Sequence, residues 1–90
     1  MDERQKKRLR GRGHDLKAVV IIGSAGLTAA VNAEIDIALD AHELIKLKVR
    51  VGDRNARDTT IKTICAEHKA ELVQRVGNTA LLYRQRPPQT

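Results

Sequence analysis

Between Leu44 and Val51, apolar and cationic residues alternate without interruption. Ile45, Leu47, Val49 and Val51 fall on one side, Lys46, Lys48 and Arg50 on the other. Successive side chains of a β-strand point to opposite faces, so this segment has one face to pack and one that shows three cations to solvent. A chain organised around such a strand is restricted to a sheet covered by helices on one face, with much of the other left open. The core must be aliphatic, because Tyr83 is the only aromatic residue among 90. That length supports one domain with a modest core. Residues 1–86 are expected to form it, and the tail over 87–90, with Pro87 and Pro88, to fray.

The neighbouring segments supply the covering elements. Ala18–Ile22 is a short apolar run rich in β-branched residues, a buried strand. From Leu27 to about His42 the pattern becomes helical: Leu27, Val31, Ile35, Ala38 and Leu39 share a face, with Asn32, Asp36 and Asp40 opposite. Glu34 falls inside the apolar sector, where it would snorkel past small alanines or pair with a basic group. Thr28 and Asp53 are placed to cap helices. A second covering helix is predicted from about Arg54 to Lys69, burying Ile61, Ile64, Cys65 and His68. Leu72–Val76, Gly77-Asn78 and Thr79–Arg84 read as a hairpin. At the other end, Asp2 and Glu3 open a helix that Gly11 and Gly13 should stop. Leu9 is almost its only apolar residue, so it is expected to pack weakly near an edge or end of the sheet. The order is helix, strand, helix, strand, helix, strand, strand. The fold class is α/β, a four-stranded mixed sheet with three helices, with parallel pairs from the crossovers and an antiparallel hairpin.

Gly23-Ser24-Ala25-Gly26 connects the first strand to the following helix. Backbone N–H groups there lie beside the positive end of the helix, an arrangement that receives a phosphate. Glycines allow a nucleic-acid backbone to approach without a Cβ in the way, although the same pair also serves a tight strand-to-helix connection with no ligand. The formal net charge is +6, and residues 1–17 hold seven basic side chains against three acidic ones. That balance points to a polyanion partner, with phosphate contacts that carry no base identity. A single aromatic residue rules out base stacking as the main mode of recognition.

Other chemistries find little support. The loop lacks the Gly-x-x-x-x-Gly-Lys-Ser/Thr pattern of a mononucleotide P-loop and the three glycines of the dinucleotide fingerprint. Cys65 is the only cysteine, which excludes an internal disulfide and a cysteine-rich zinc site; it reads as a small core residue. His14, His42 and His68 show no metal-ligand spacing. A small enzyme using Glu34 with His14 or His42 would need a spacing and a pocket that nothing here supports. The charged N-terminus has no apolar signal segment and no run is long enough to span a bilayer, so a cytoplasmic protein is expected.

The segments Gly13-His14-Asp15-Leu16-Lys17, Val19–Thr28, Glu34-Ile35, Ala38-Leu39 and His42–Lys48 together resemble the CRM domain, whose stand-alone bacterial form is the YhbY-type ribosome-associated protein. Val76-Gly77-Asn78-Thr79 and Leu82-Tyr83-Arg84 fit as well, so the resemblance covers nearly the whole chain. It implies an RNA-binding fold similar to the C-terminal domain of translation initiation factor three. It also implies a role in maturation of the large ribosomal subunit; related domains in plant organelles act in intron splicing. The family's glycine loop, here Gly23 to Gly26, is implicated in RNA contact with nearby basic residues. Two positions depart from the pattern: Ala18 stands where proline is common, and Ser24 where many members carry a basic residue. This loop therefore relies on its backbone N–H groups and on Lys17, Lys46 and Lys48.

The expected function is a non-enzymatic, ribosome-associated RNA-binding protein that aids assembly of the precursor large subunit. The RNA-binding residues are expected to be Lys6, Lys7, Arg10, Lys17, Gly23, Ser24, Ala25, Gly26, Lys46 and Lys48. No catalytic residue, metal or cofactor is expected. Partners are ribosomal RNA and, beside it, ribosomal proteins, with no membrane and a monomeric chain. The alternative is a protein-interaction module docking on ribosomal proteins or another acidic partner.

Overall fold

The computed structural model describes residues 1–86; the expected frayed tail lies outside them. Three helices and four strands follow in the order α1 (Glu3–Gly13), β1 (Ala18–Ile22), α2 (Ala29–His42), β2 (Leu44–Val49), α3 (Arg54–His68), β3 (Glu71–Val76) and β4 (Thr79–Tyr83). The helix starts follow from their caps. The side chains of Asp2, Thr28 and Asp53 accept hydrogen bonds from the N–H groups of Gln5, Val31 and Ala56, satisfying donors that a first turn leaves free. α3 ends on Lys69 in the left-handed region. α1 runs through Gly11 and stops only after Gly13. Among the described residues, no helix is long and apolar enough to cross a membrane.

The sheet order is β1-β2-β4-β3. β1 and β2 are parallel, as a helical crossover requires, and β4 is antiparallel to both β2 and β3. Only one adjacent pair is parallel, because α3 carries β3 past the position beside β2 and the hairpin returns β4 into the gap.

One face is packed as the alternation requires. Val20 and Ile22 of β1, Ile45, Leu47 and Val49 of β2, and Ala80 and Leu82 of β4 form a continuous core with Ile35 and Leu39 of α2 and Ile61 and Ile64 of α3. Leu27, Val31, Ala38 and the half-buried Cys65 pack against it. Burial pushes the Cys65 thiol up, the reverse of what a nucleophile needs. Glu34 does not enter the core and lies exposed.

The opposite face corrects the expectation for α1. This helix lies on the sheet rather than at its edge, and it is anchored by a cluster of Leu9, Leu44, Val73 and Leu81, with Tyr83 against it. Leu9 is only 4% exposed. A Cβ at Gly13 would lie 2.5 Å from Leu81 Cδ2, so this close approach depends on glycine. One leucine and one glycine therefore do what an apolar stripe normally does.

The polar side of α2 is also more than a solvated surface. Arg84 donates to Asp36 Oδ1 and Asp40 Oδ1, each at 2.8 Å, and to the His68 carbonyl at 3.1 Å. The His68 ring, only 8% exposed, stands 3.1 Å from Asp36 Oδ1 and 2.9 Å from Asn32 Oδ1. This network ties the end of β4 and α3 to α2, giving His68 a structural role rather than the apolar packing its spacing suggested.

Candidate nucleic-acid interface

The glycine loop leaves the carboxyl end of β1 as a tight turn. Gly26 N–H donates to the Gly23 carbonyl at 2.9 Å, and Thr28 N–H to the Gly26 carbonyl at 3.1 Å before its side chain caps α2. Gly26 has φ +73°, a conformation that disfavours any side chain. Gly23 differs. Its φ is ordinary and a Cβ there would meet nothing within 4 Å, so the fold itself does not demand glycine at this position. The N–H groups of Ser24 and Ala25 find no acceptor among the described residues, and both residues are exposed. The loop therefore presents two free donors beside a helix N-terminus and an approach clear of side chains.

Lys48 pairs in register with Ile21, two residues before the loop, and of the anticipated cations is the one beside it. Lys46 pairs with Ala18, next to Lys17, at the opposite end of β1. Lys46 and Lys48, two residues apart on β2, stand about 7 Å from each other, whereas the five residues of β1 carry Lys17 about 16 Å from the loop. The anticipated cluster is therefore a strip, with Lys17 at one end, the loop at the other, and Lys46 and Lys48 between them on β2. Lys17, Lys46, Arg12, Leu16 and Val19 line a groove of about 340 Å³ that joins the end of α1 to the sheet. Val19 and Ile21, 52% and 53% exposed, continue this uncovered surface toward the loop.

α1 carries Lys6, Lys7 and Arg10 on the same face of the sheet, to which Leu9 docks it. Among the described residues, no carboxylate lies within ion-pair distance of Lys6, Lys7, Arg10, Lys17, Lys46 or Lys48. Asp36 and Asp40 are engaged around Arg84, and Asp58 at Arg75, away from these cations. This division leaves a positive surface beside the open sheet, suited to a polyanion. Among the described residues, no group of three or more His, Cys, Asp or Glu side chains is placed to hold a metal ion.

The loop end of the sheet also carries basic residues absent from the anticipated site: Arg50, just past β2, and Arg54 and Arg57 in the first turns of α3. The signal for them was the parallel pairing of β1 and β2. It brings the loop and the β2–α3 connection to the same end, where the Arg50 N–H donates to the Ile22 carbonyl at 2.7 Å.

Comparison with known proteins agrees with this architecture. A protein of Haemophilus influenzae named as an RNA-binding protein is 45% identical over 84 residues, covering 93% of this chain and 85% of its own. One of Pseudomonas aeruginosa, named as a probable RNA-binding protein, is 41% identical over 87 residues, covering 97% and 84%. The solution structure of a Staphylococcus aureus protein, described there as a candidate RNA-binding protein, superposes with a TM-score of 0.84 at 27% identity over 100% of this chain and 94% of that one. The model of the CRS1 / YhbY (CRM) domain matches residues 1–84. With nearly its full length matched and its fold shared, this chain belongs to the CRS1/YhbY (CRM) domain family.

Proposed function

We propose that this protein binds RNA through its backbone, without catalysis, and acts in the cytoplasm on precursors of the large ribosomal subunit during their assembly. The observation that carries the reading is the coincidence of unpaired cations with a loop offering free N–H donors along one strip of the sheet. A phosphate at Gly23–Gly26 accepts from the Ser24 and Ala25 N–H groups, with the positive end of α2 behind it. Lys48 stands beside that phosphate. Lys46, Lys17 and the cations of α1 receive successive phosphates farther along. The names of the relatives support RNA as the polyanion. With Tyr83 as the sole aromatic, partly buried against the Leu9 cluster, recognition rests on RNA shape rather than base stacking.

The test uses Gly23, because substitution at Gly26 would strain the turn. Gly23→Leu fills the approach to the loop while leaving thermal unfolding near that of the parent. Its affinity for large-subunit RNA fragments should fall about tenfold, with affinity of the parent itself decreasing linearly in log K against log salt. Unchanged binding by Gly23→Leu removes the loop from the site, and salt-independent binding by the parent ends the backbone mechanism. Cosedimentation with precursor large subunits, lost on complete nuclease digestion, tests the assembly role. Association that survives digestion would favour a ribosomal-protein partner.

A further inference from the structure

At the loop end of the sheet, but across it from Gly23–Gly26, Arg54, Arg57, Arg75 and Gly77 line a single cavity of about 300 Å³. The sequence builds it in steps. Asp53 caps α3, so Arg54 enters the first turn and Arg57, three residues on, shares its side. Arg75 pairs in register with Ala80, which faces the helix-covered core, and its guanidinium meets Asp58 of α3. Gly77 has φ +59° and closes the β3–β4 hairpin without placing a side chain over the opening.

Three guanidinium groups in one small cavity repel one another, and only Arg75 has a carboxylate partner among the described residues. Arg57 donates from Nη1 to the Gly52 carbonyl at 3.4 Å, while its Nε is buried with no acceptor. A buried donor left unpaired is costly, and here the fold does not supply the Arg57 guanidinium with a full set of internal acceptors. The planar fork of arginine matches phosphate oxygens in pairs, which suits it to this role better than lysine. The cavity lies at β3 and the glycine loop at β1, three strand spacings apart, or about 14 Å. One phosphate cannot reach both.

We propose that Arg54, Arg57 and Arg75 form a second phosphate-binding site, which takes an RNA backbone phosphate separate from the one at Gly23–Gly26. The inference rests on the RNA reading above. The second phosphate comes either from farther along the same strand or from the opposite strand of a stem.

The experiment compares the full chain with Arg54→Ala/Arg57→Ala, leaving the Arg75–Asp58 pair intact, on a short single-stranded RNA and on a stem-loop. Lys62→Ala/Lys69→Ala, which removes the same charge elsewhere on exposed residues, is the control. Loss of one phosphate contact should make the log K against log salt slope shallower by about 0.7–0.9 and weaken binding several-fold, with the control close to the parent. A loss on both RNAs assigns the phosphate to the same strand, and a loss on the stem-loop alone assigns it to the opposite strand; either supports the site. Unchanged affinity and slope on both RNAs overturn it, as does an equal loss in the control. If the parent binds RNA with the expected salt dependence and Gly23→Leu weakens it, such a result removes the arginine cavity alone. If the parent shows no salt dependence, the RNA reading itself has failed.

Discussion

The two faces of the sheet use the same four strands and differ in what covers them. On one, two helices seal a continuous cluster that includes Ile22, Ile35, Leu39, Leu47 and Ile64, each fully buried. On the other, one helix is held by Leu9, Leu44, Val73 and Leu81, and the rest of the surface leaves Val19 and Ile21 half exposed beside Lys46 and Lys48. Burying those lysines under a helix would require desolvating charge without compensation. Leaving them open keeps the cations usable by a ligand. The first face therefore holds the fold together, and the second trades stabilising burial for an accessible charged surface.

The strongest way to break this division is truncation on each face. Leu47→Ala should cost about 3–4 kcal/mol, because the site is enclosed by β-strands and two helices and cannot collapse around the cavity. For a chain this short, whose total stability is expected to be about 5–13 kcal/mol, that is a large share. Leu9→Ala should cost less, about 2 kcal/mol, because a single exposed-sided helix can settle toward the sheet. Urea denaturation of both variants checks the order. Equal costs would mean that α1 is as integral to the fold as α2 and α3, and the contrast between the faces would fail.

The asymmetry itself was legible in Ile45–Val51, because strand periodicity assigns each residue to a face before any tertiary contact is known. The caps Thr28 and Asp53 were legible for the same reason: their hydrogen bonds reach only three residues along the chain. What stayed hidden is long-range. Leu9 makes no apolar stripe in an eleven-residue helix, and its docking depends on Leu81 fitting against Gly13, a contact between the two ends of the chain. Asp36 and Asp40 look like a solvated side of α2 until Arg84, more than forty residues away, arrives between them. The candidate site was legible as a residue set but not as a strip, although the length of β1 alone separates Lys17 from the loop.

A smaller effect sharpens the functional half of the comparison. Lys46→Ala/Lys48→Ala should leave stability within about 0.5 kcal/mol of the parent, since neither residue has a partner to lose. Its RNA affinity at moderate salt should drop about tenfold, with a slope shallower by about 1.4–1.8 for two phosphates released. Fluorescence anisotropy across a salt series measures both. An unchanged slope would show that the RNA path avoids the open half of the sheet.

The smallest expected effect belongs to the covered side. Hydrogen bonds from Arg84 and then from His68 hold the Asp36 carboxyl below its usual range, outweighing slight desolvation. A depressed carboxyl pKa contributes stability that is fully present above the unfolded value of 3.8 and is lost as pH falls through the lower folded value. Asp36→Asn should therefore be less stable than the parent at neutral pH, with the gap closing as the pH drops below that range. The carboxyl is 57% exposed, so screening holds the difference to about 0.5 kcal/mol. Denaturant melts of both chains from pH 3 to 7 read this gap, and a gap independent of pH would show that the Asp36 charge is not what ties β4 to α2. RNA affinity of the same variant should stay within about twofold of the parent, because one charge removed behind the sheet releases no phosphate contact. A tenfold change would mean that the network around Arg84 and the strip on the opposite face are coupled through the strands they share.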